Sequence, residues 1–368
     1  MTLEFKFLKS FMAISIAISS SNISMASDLI TGAGSSFIAP VIYKWSAAYH
    51  KETDSKINYQ SIGSGAGIKQ IENKIVDFGA TDMPLTAKEL DEKGLIQFPA
   101  IIGGIVIITN ISGISQGQLI LDAKTIAEIY SGQIKNWNDK RIAQLNPGLS
   151  LPDKKIIVVY RSDASGTTFN FTYYLNNASK NAWEIGFGTN VSWPTGIMGF
   201  GGKGNEGVTN LVKLTSGSIG YVEYSYAMQN KLAWSRMHNA EGNIVPVLET
   251  NEFQNEKKVS EAFRKSFQAA ALYAEWEKSA GMYVLLANQK GEMSWPMTAS
   301  TFILIPKKSS QPKKINEVLK FFKYAYTKGD SIAESLDYIS IPDKTYKLIQ
   351  NKWNMEFESE KEKFAISK

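Results

Sequence analysis

The chain has 368 residues, 43% hydrophobic and 20% charged, a formal net charge of +5, two histidines and no cysteine. This length exceeds one hydrophobic core and predicts two lobes, with the apolar and charged fractions of an ordinary globular protein. Without cysteine there is no disulfide, thiolate nucleophile, Cys-bound zinc or lipid-anchored N-terminal Cys. Basic residues spread along the chain argue against nucleic acid as a partner.

The N-terminus reads as a targeting segment. Lys6 and Lys9 precede an apolar run from Phe11 to Ile18, and a Ser-rich region ends in "SMAS". Ser24 and Ala26 fit a signal-peptidase site, so residues 1–26 are expected to be a signal peptide cleaved after Ala26. Lys6, Lys9 and Glu4 would leave with it, taking the formal charge from +5 to +4. The apolar run is shorter than the roughly 20 residues a membrane span needs, and no later segment reads as one. The expected location is the periplasm.

Beyond the leader, strands and helices alternate. Ile57–Ile62, Val76–Ala80, Gln97–Asn110, Lys155–Tyr160, Ile219–Glu223 and Thr301–Ile305 are short apolar or β-branched runs that predict strands. Asp122 to Ser131 reads as a helix with Asp122 at its N-cap, and Lys313 to Tyr326 carries Ile315, Val318, Leu319 and Phe322 on one face. Alternation of this kind implies an α/β architecture with buried sheets. The glycine-rich stretch 196–207, "GIMGFGGKGNEG", reads as a loop.

Three segments share one design: "ITGAGSSFIAPVIYKW" at 30–45, "SIGSGAGIKQI" at 61–71 and "YRSDASGTTFNFTYYL" at 160–175. Each leaves a strand, passes through Gly and Ser or Thr, and enters a helix. The first turn of a helix has unpaired N–H groups and the positive end of the dipole, glycine allows close approach, and a hydroxyl adds a donor. Such an end suits an oxyanion. In a fourth segment, "VDFGATDMPLT" at 76–86, Asp82 follows a strand directly, where a capping role would be ordinary.

With "LDAKTIAEIYSGQIKNWND", "GGKGNEGV", "GSIGYVEYSYA" and "STFILI", these motifs match in order and spacing the periplasmic phosphate-binding proteins of bacterial phosphate-specific ABC transporters, which the chain resembles over almost its whole mature length. Two positions depart from that pattern: Ile38 where the family usually has Pro, and Tyr160 where a basic residue often precedes the Arg. The resemblance implies a two-lobed periplasmic-binding-protein fold, each lobe a mixed sheet flanked by helices, joined by crossing hinge strands. Lobe I would be residues 27–102 plus 299–368 and lobe II residues 103–298, crossing at 101–104 and just before "STFILI". "PAIIGGIVIITN" is an apolar run with two glycines, as a hinge strand would be.

Carried over by motif, the phosphate-binding residues would be Ser36 and Phe37 (the latter through its amide), Ser64, Gly67, Asp82, Arg161, Ser165, Gly166 and Thr167, with Asp163 bracing Arg161. The implied activity is binding of inorganic phosphate and its delivery to an inner-membrane ABC permease with its cytoplasmic ATPase. The receptor would act as a monomer, without catalysis, cofactor or metal. An exported phosphate-ester hydrolase, or a surface or adhesin protein on the same scaffold, is the competing reading. Against a hydrolase, the chain contains no G-x-S-x-G. Its two histidines, His50 and His238, lie outside all four motifs and read as solvated.

Overall fold

The computed structural model describes residues 29–179, 181–272 and 274–357, so the expected leader lies outside the described residues. Strand β1 (Ile30–Gly34) leads into α1 (Ala39–Thr53), β2 (Ile57–Ser61) into α2 (Ser64–Glu72), and β3 (Phe78–Thr81) toward α3 (Ala87–Lys93). The long β4 (Leu95–Thr109) follows, then β5 (Ile120–Leu121), α4 (Ala123–Tyr130), α5 (Lys140–Leu145), β6 (Ile157–Arg161) and α6 (Gly166–Ala178). Next come β7 (Gly199–Gly202), α7 (Gly204–Leu214), β8 (Ser218–Glu223), α8 (Tyr224–Gln229), β9 (Ala233–Trp234), β10 (Arg236–His238) and β11 (Ile244–Val245). The chain closes with α9 (Glu256–Ala271), β12 (Thr298–Pro306), α10 (Pro312–Thr327), α11 (Asp330–Glu334) and α12 (Asp343–Glu356).

The main sheet runs in the order β2-β1-β3-β12-β4-β8-β6-β7, with β9 also on β4. Strand β4 changes partners along its length. Residues 95–104 pair antiparallel with β12, whereas Ile105–Thr109 pair with β8. It therefore belongs to two half-sheets: parallel β2, β1 and β3 with antiparallel β12 on one side, and β8, β6 and β7 on the other. Every residue of β4 is buried, which explains why its sequence is a continuous apolar run and does not alternate.

Helix starts follow local chemistry. Asp122 caps α4 by accepting from the Thr125 amide, and Thr86 and Glu89 form a capping box on α3. Each such cap stabilises its helix by about 1 kcal/mol. Ile315, Val318, Leu319 and Phe322 of α10 are buried, as their spacing predicts. The glycine-rich stretch at 196–207 departs from expectation. It forms edge strand β7 and the start of α7, because a Cβ at Gly202 would stand 2.6 Å from the Val208 amide nitrogen. Glycine serves packing there, and composition alone reads as loop. His50 and His238 are both partly exposed, and the His50 side chain retains 41% of its accessible surface. A small separate sheet, β11-β10-β5, carries His238.

Candidate functional site

Five strand ends converge where the two half-sheets face each other. From the first come the β1–α1 loop (Ser35, Ser36 and Phe37), the N-terminus of α2 (Ser64) and the end of β3 (Asp82). From the second come the end of β6 (Arg161, Asp163), the N-terminus of α6 (Ser165, Gly166, Thr167) and that of α7 (Asn205). Contacts across the cleft are direct. The Gly65 amide donates to the Ala164 carbonyl at 2.9 Å, Asn170 Nδ2 donates to the Asp82 carbonyl at 2.8 Å, and Tyr226 Oη donates to the Ser36 carbonyl at 2.8 Å.

Two glycines make this proximity possible. A Cβ at Gly166 would stand 2.4 Å from Ser64 Oγ and 2.6 Å from Asp82 Oδ2. Gly63 has φ of +91°, which disfavours an L side chain, and its Cβ would stand 2.3 Å from Asp163 Oδ2.

Arg161 is buried and held in a fork. Its Nε donates to Asp163 Oδ1 at 2.8 Å and Nη2 to Asp163 Oδ2 at 2.5 Å, while Nη1 reaches Thr167 Oγ1 at 3.2 Å. Asp163 also accepts from the Gly204 amide at 3.0 Å. Burial alone would raise the Asp163 pKa, but hydrogen bonds from Arg161, its charge and the Gly204 amide outweigh it and hold the carboxyl below its usual value. Ser165 caps α6 by accepting from the Thr168 amide at 3.0 Å. The first-turn amides of Gly166 and Thr167 have no intrahelical acceptor and, with the helix dipole, present positive potential.

Asp82 is the acidic residue that the end of β3 contributes to this cluster. It accepts from Ser35 Oγ at 2.6 and 2.7 Å and from Thr301 Oγ1 at 2.6 Å, with Ser64 Oγ more distant at 3.5 Å. Burial pushes its pKa up to about 6, against the lowering effect of Ser35, Thr301, the Arg161 charge and Ser64. Thr86 caps α3, so Asp82 is not the cap its position suggested. The arrangement offers a guanidinium, several hydroxyls and two helix N-termini around one carboxylate, which is the equipment for a tetrahedral oxyanion that carries a proton.

Comparison with known proteins agrees. A family model for the PBP superfamily domain matches residues 19–328. The chain is 48% identical over 329 residues to the phosphate-binding protein PstS of Haemophilus influenzae, covering 89% of this chain and 93% of that one. It is 46% identical over 352 residues to PstS of Pasteurella multocida, covering 95% and 97%. The chain belongs to the PstS family of the PBP superfamily. In fold it is similar to the phosphate binding protein from Stenotrophomonas maltophilia, with a TM-score of 0.63, 18% identity and coverage of 88% and 94%.

Within this PstS-family fold, the predicted residues take three kinds of place. Ser36, Ser64, Asp82, Arg161, Asp163, Ser165, Gly166 and Thr167 meet at the cleft. Phe37 is beside it, with its amide donating to Ser35 Oγ at 2.9 Å and its carbonyl accepting from Tyr338 Oη at 2.7 Å. Gly67 departs from the expectation. It sits a turn into α2, where a Cβ would stand 2.4 Å from the Gly34 Cα and 2.7 Å from the Ala33 carbonyl oxygen, so it lets α2 pack on β1. Of the two departures from the family pattern, Ile38 is fully buried core, and Tyr160 stacks on Trp193 at 5.1 Å.

Sequence reasoning missed three polar residues. Ser35 and Thr301 support Asp82, and Asn205 joins Ser36 to Thr167 across the cleft. All three lie inside motifs already quoted, but nothing in their spacing says which neighbour faces the site. Another buried acid, Glu223, lies 2.9 Å from Tyr338 Oη and accepts from the Ser225 hydroxyl and amide, and burial pushes it up to about 8 against those contacts.

Proposed function

We propose that the chain is the receptor of a phosphate-importing ABC system: it binds inorganic phosphate between its half-sheets and delivers it to an inner-membrane permease. The observation that carries this reading is the convergence of Arg161, the α6 N-terminus, Ser36 and Ser64 on a site that also contains the buried acceptor Asp82. Arg161 supplies charge and forked donors to phosphate oxygens. Ser36, Ser64 and Thr167 supply hydroxyls, and Gly166 and Thr167 supply amides. Asp82 accepts a hydrogen bond from the P–O–H group that hydrogen phosphate still carries at neutral pH. Phe37 orders the β1–α1 loop, with its amide available to the ligand once Ser35 releases it.

Ligand groups come from both half-sheets, so an anion between them favours the closed state, and opening at the permease releases it. In this reading residues 27–102 plus 299–368 form one lobe and 103–298 the other. Support comes from the switch of β4 partners after Gly104 and from β12 beginning at Thr298. The receptor acts in the periplasm after loss of residues 1–26. Among the described residues no helix is long and apolar enough to cross a membrane. The test is calorimetric titration of ligand-stripped protein with phosphate and with sulfate. Saturable phosphate binding with weak or no sulfate heat is expected, and equal binding of both anions would overturn the proposal.

A further inference from the structure

We propose that Asn205 is a positioning residue that forces the Ser36 and Thr167 hydroxyls to point their protons at the bound anion. The inference rests on the phosphate reading above. Asn205 is fully buried at the start of α7 and reaches across the cleft. Its backbone amide donates to Ser36 Oγ at 3.0 Å, and its Nδ2 donates to the same oxygen at 2.9 Å and to Thr167 Oγ1 at 3.3 Å. Its Oδ1 accepts from the Glu223 amide at 2.9 Å. An amide N–H can only donate, so this last contact determines which way the Asn205 carboxamide faces: oxygen toward β8, nitrogen toward the hydroxyls.

A hydroxyl has one proton and two lone pairs. Ser36 Oγ receives two donors, both from Asn205. Thr167 Oγ1 also receives two, from Asn205 Nδ2 and from Arg161 Nη1 at 3.2 Å, and a guanidinium never accepts. With their lone pairs occupied, both oxygens can meet a further group only by donating. Two groups that could serve either role thus become donors, aimed from opposite half-sheets at whatever lies between them. An anion gains from this, and a ligand that must itself donate at those points does not. Because Ser36 and Asn205 lie in different half-sheets, this orientation is set only when the cleft is closed, so closure and donor alignment are one event.

The test measures phosphate affinity by calorimetry in four proteins: wild type, Asn205→Ala, Ser36→Ala and the double variant. Asn205→Ala should weaken binding roughly 10- to 100-fold, the range for loss of a buried hydrogen-bonding partner. If Asn205 acts through the hydroxyls, the same substitution should cost at least about threefold less in the Ser36→Ala background, where one of the two hydroxyls is already gone. A merely structural role would cost the same in both backgrounds, and that result would overturn the proposal.

Should Asn205→Ala fail to unfold cooperatively, Asn205→Asp replaces it in the cycle. This isostere keeps an acceptor for the Glu223 amide but offers the hydroxyls a carboxylate oxygen, which draws their protons away from the ligand. It should lose at least about tenfold in affinity, again less when Ser36 is Ala. Wild-type affinity in Asn205→Asp would refute the inference. Failure of the wild-type protein itself to bind phosphate would instead refute the reading on which it rests.

Discussion

Replacing Asp82 by Asn tests what a carboxylate contributes to an anion site. In the structure Oδ1 is engaged by Ser35 and Thr301, both at 2.6 Å. Oδ2 shares the Ser35 proton at 2.7 Å, has only a long contact with Ser64 at 3.5 Å, and faces Gly166 across the cleft. Oδ2 therefore retains accepting capacity toward the ligand. Hydrogen phosphate can donate to it, but sulfate has no proton and would face an ionised, unmet acceptor. A buried unmet group costs about 1–3 kcal/mol, and more when charged, which corresponds to at least roughly 5- to 150-fold discrimination. In Asp82→Asn the side chain has its own donor, so phosphate binding should largely survive while discrimination against sulfate shrinks by about tenfold or more.

A pH profile sharpens the test. With its pKa raised to about 6, wild-type Asp82 gains a proton as pH falls through that value and then donates. If the protonated form is the one that accepts sulfate, sulfate affinity should rise about tenfold per unit from pH 8 to 6 and level off below. Asp82→Asn should be nearly flat over the same range. The assay is sulfate competition against labelled phosphate from pH 5 to 8 on both proteins. If the mutant excludes sulfate as completely as wild type, and wild type shows no rise toward pH 6, Asp82 does not set selectivity.

Arg161→Met should lower phosphate affinity about 10- to 150-fold through loss of charge-assisted donors, read by the same titration. Unchanged affinity would place Arg161 outside the site. Gly166→Ala would insert a methyl 2.4 Å from Ser64 Oγ, so the cleft cannot close as observed. Small-angle scattering should show phosphate shrinking the radius of gyration of wild type and not of this variant; equal shrinkage would contradict the role given to Gly166. Glu223, raised from 4.5 to about 8, binds its proton more tightly folded than unfolded. Folding stability should therefore fall as pH rises from about 4.5 to 8, by up to about 5 kcal/mol from this group, and chemical denaturation of Glu223→Gln should show a shallower fall. Finally, protein released from the periplasm by osmotic shock should begin at Ser27 on N-terminal sequencing, and a retained Met1 would rule out the cleavage.

What the sequence determined was local and repetitive. Helix faces such as that of α10 are legible because a 3.6-residue period is written in neighbouring side chains. The oxyanion turns are legible because glycine, hydroxyl and helix start adjoin in the chain, and Arg161 lies two residues from the acid that orients it. The buried β4 was readable as one apolar run, and two glycines marked where its partners change.

Tertiary structure decided which polar groups face one another. Ser35 and Asp82 are separated by 47 residues, Asp82 and Thr301 by 219, and Ser36 and Asn205 by 169. No periodicity connects such pairs. Hydrogen bonding depends on distances of about 3 Å and on direction, and chain spacing constrains neither once two half-sheets must meet. The same limit explains Gly67 and the glycines of β7, where the missing side chain makes room for backbone and not for ligand. In sequence a packing glycine and a ligand-binding glycine are the same letter; they differ in what stands where the Cβ would be, and only folding brings that neighbour there.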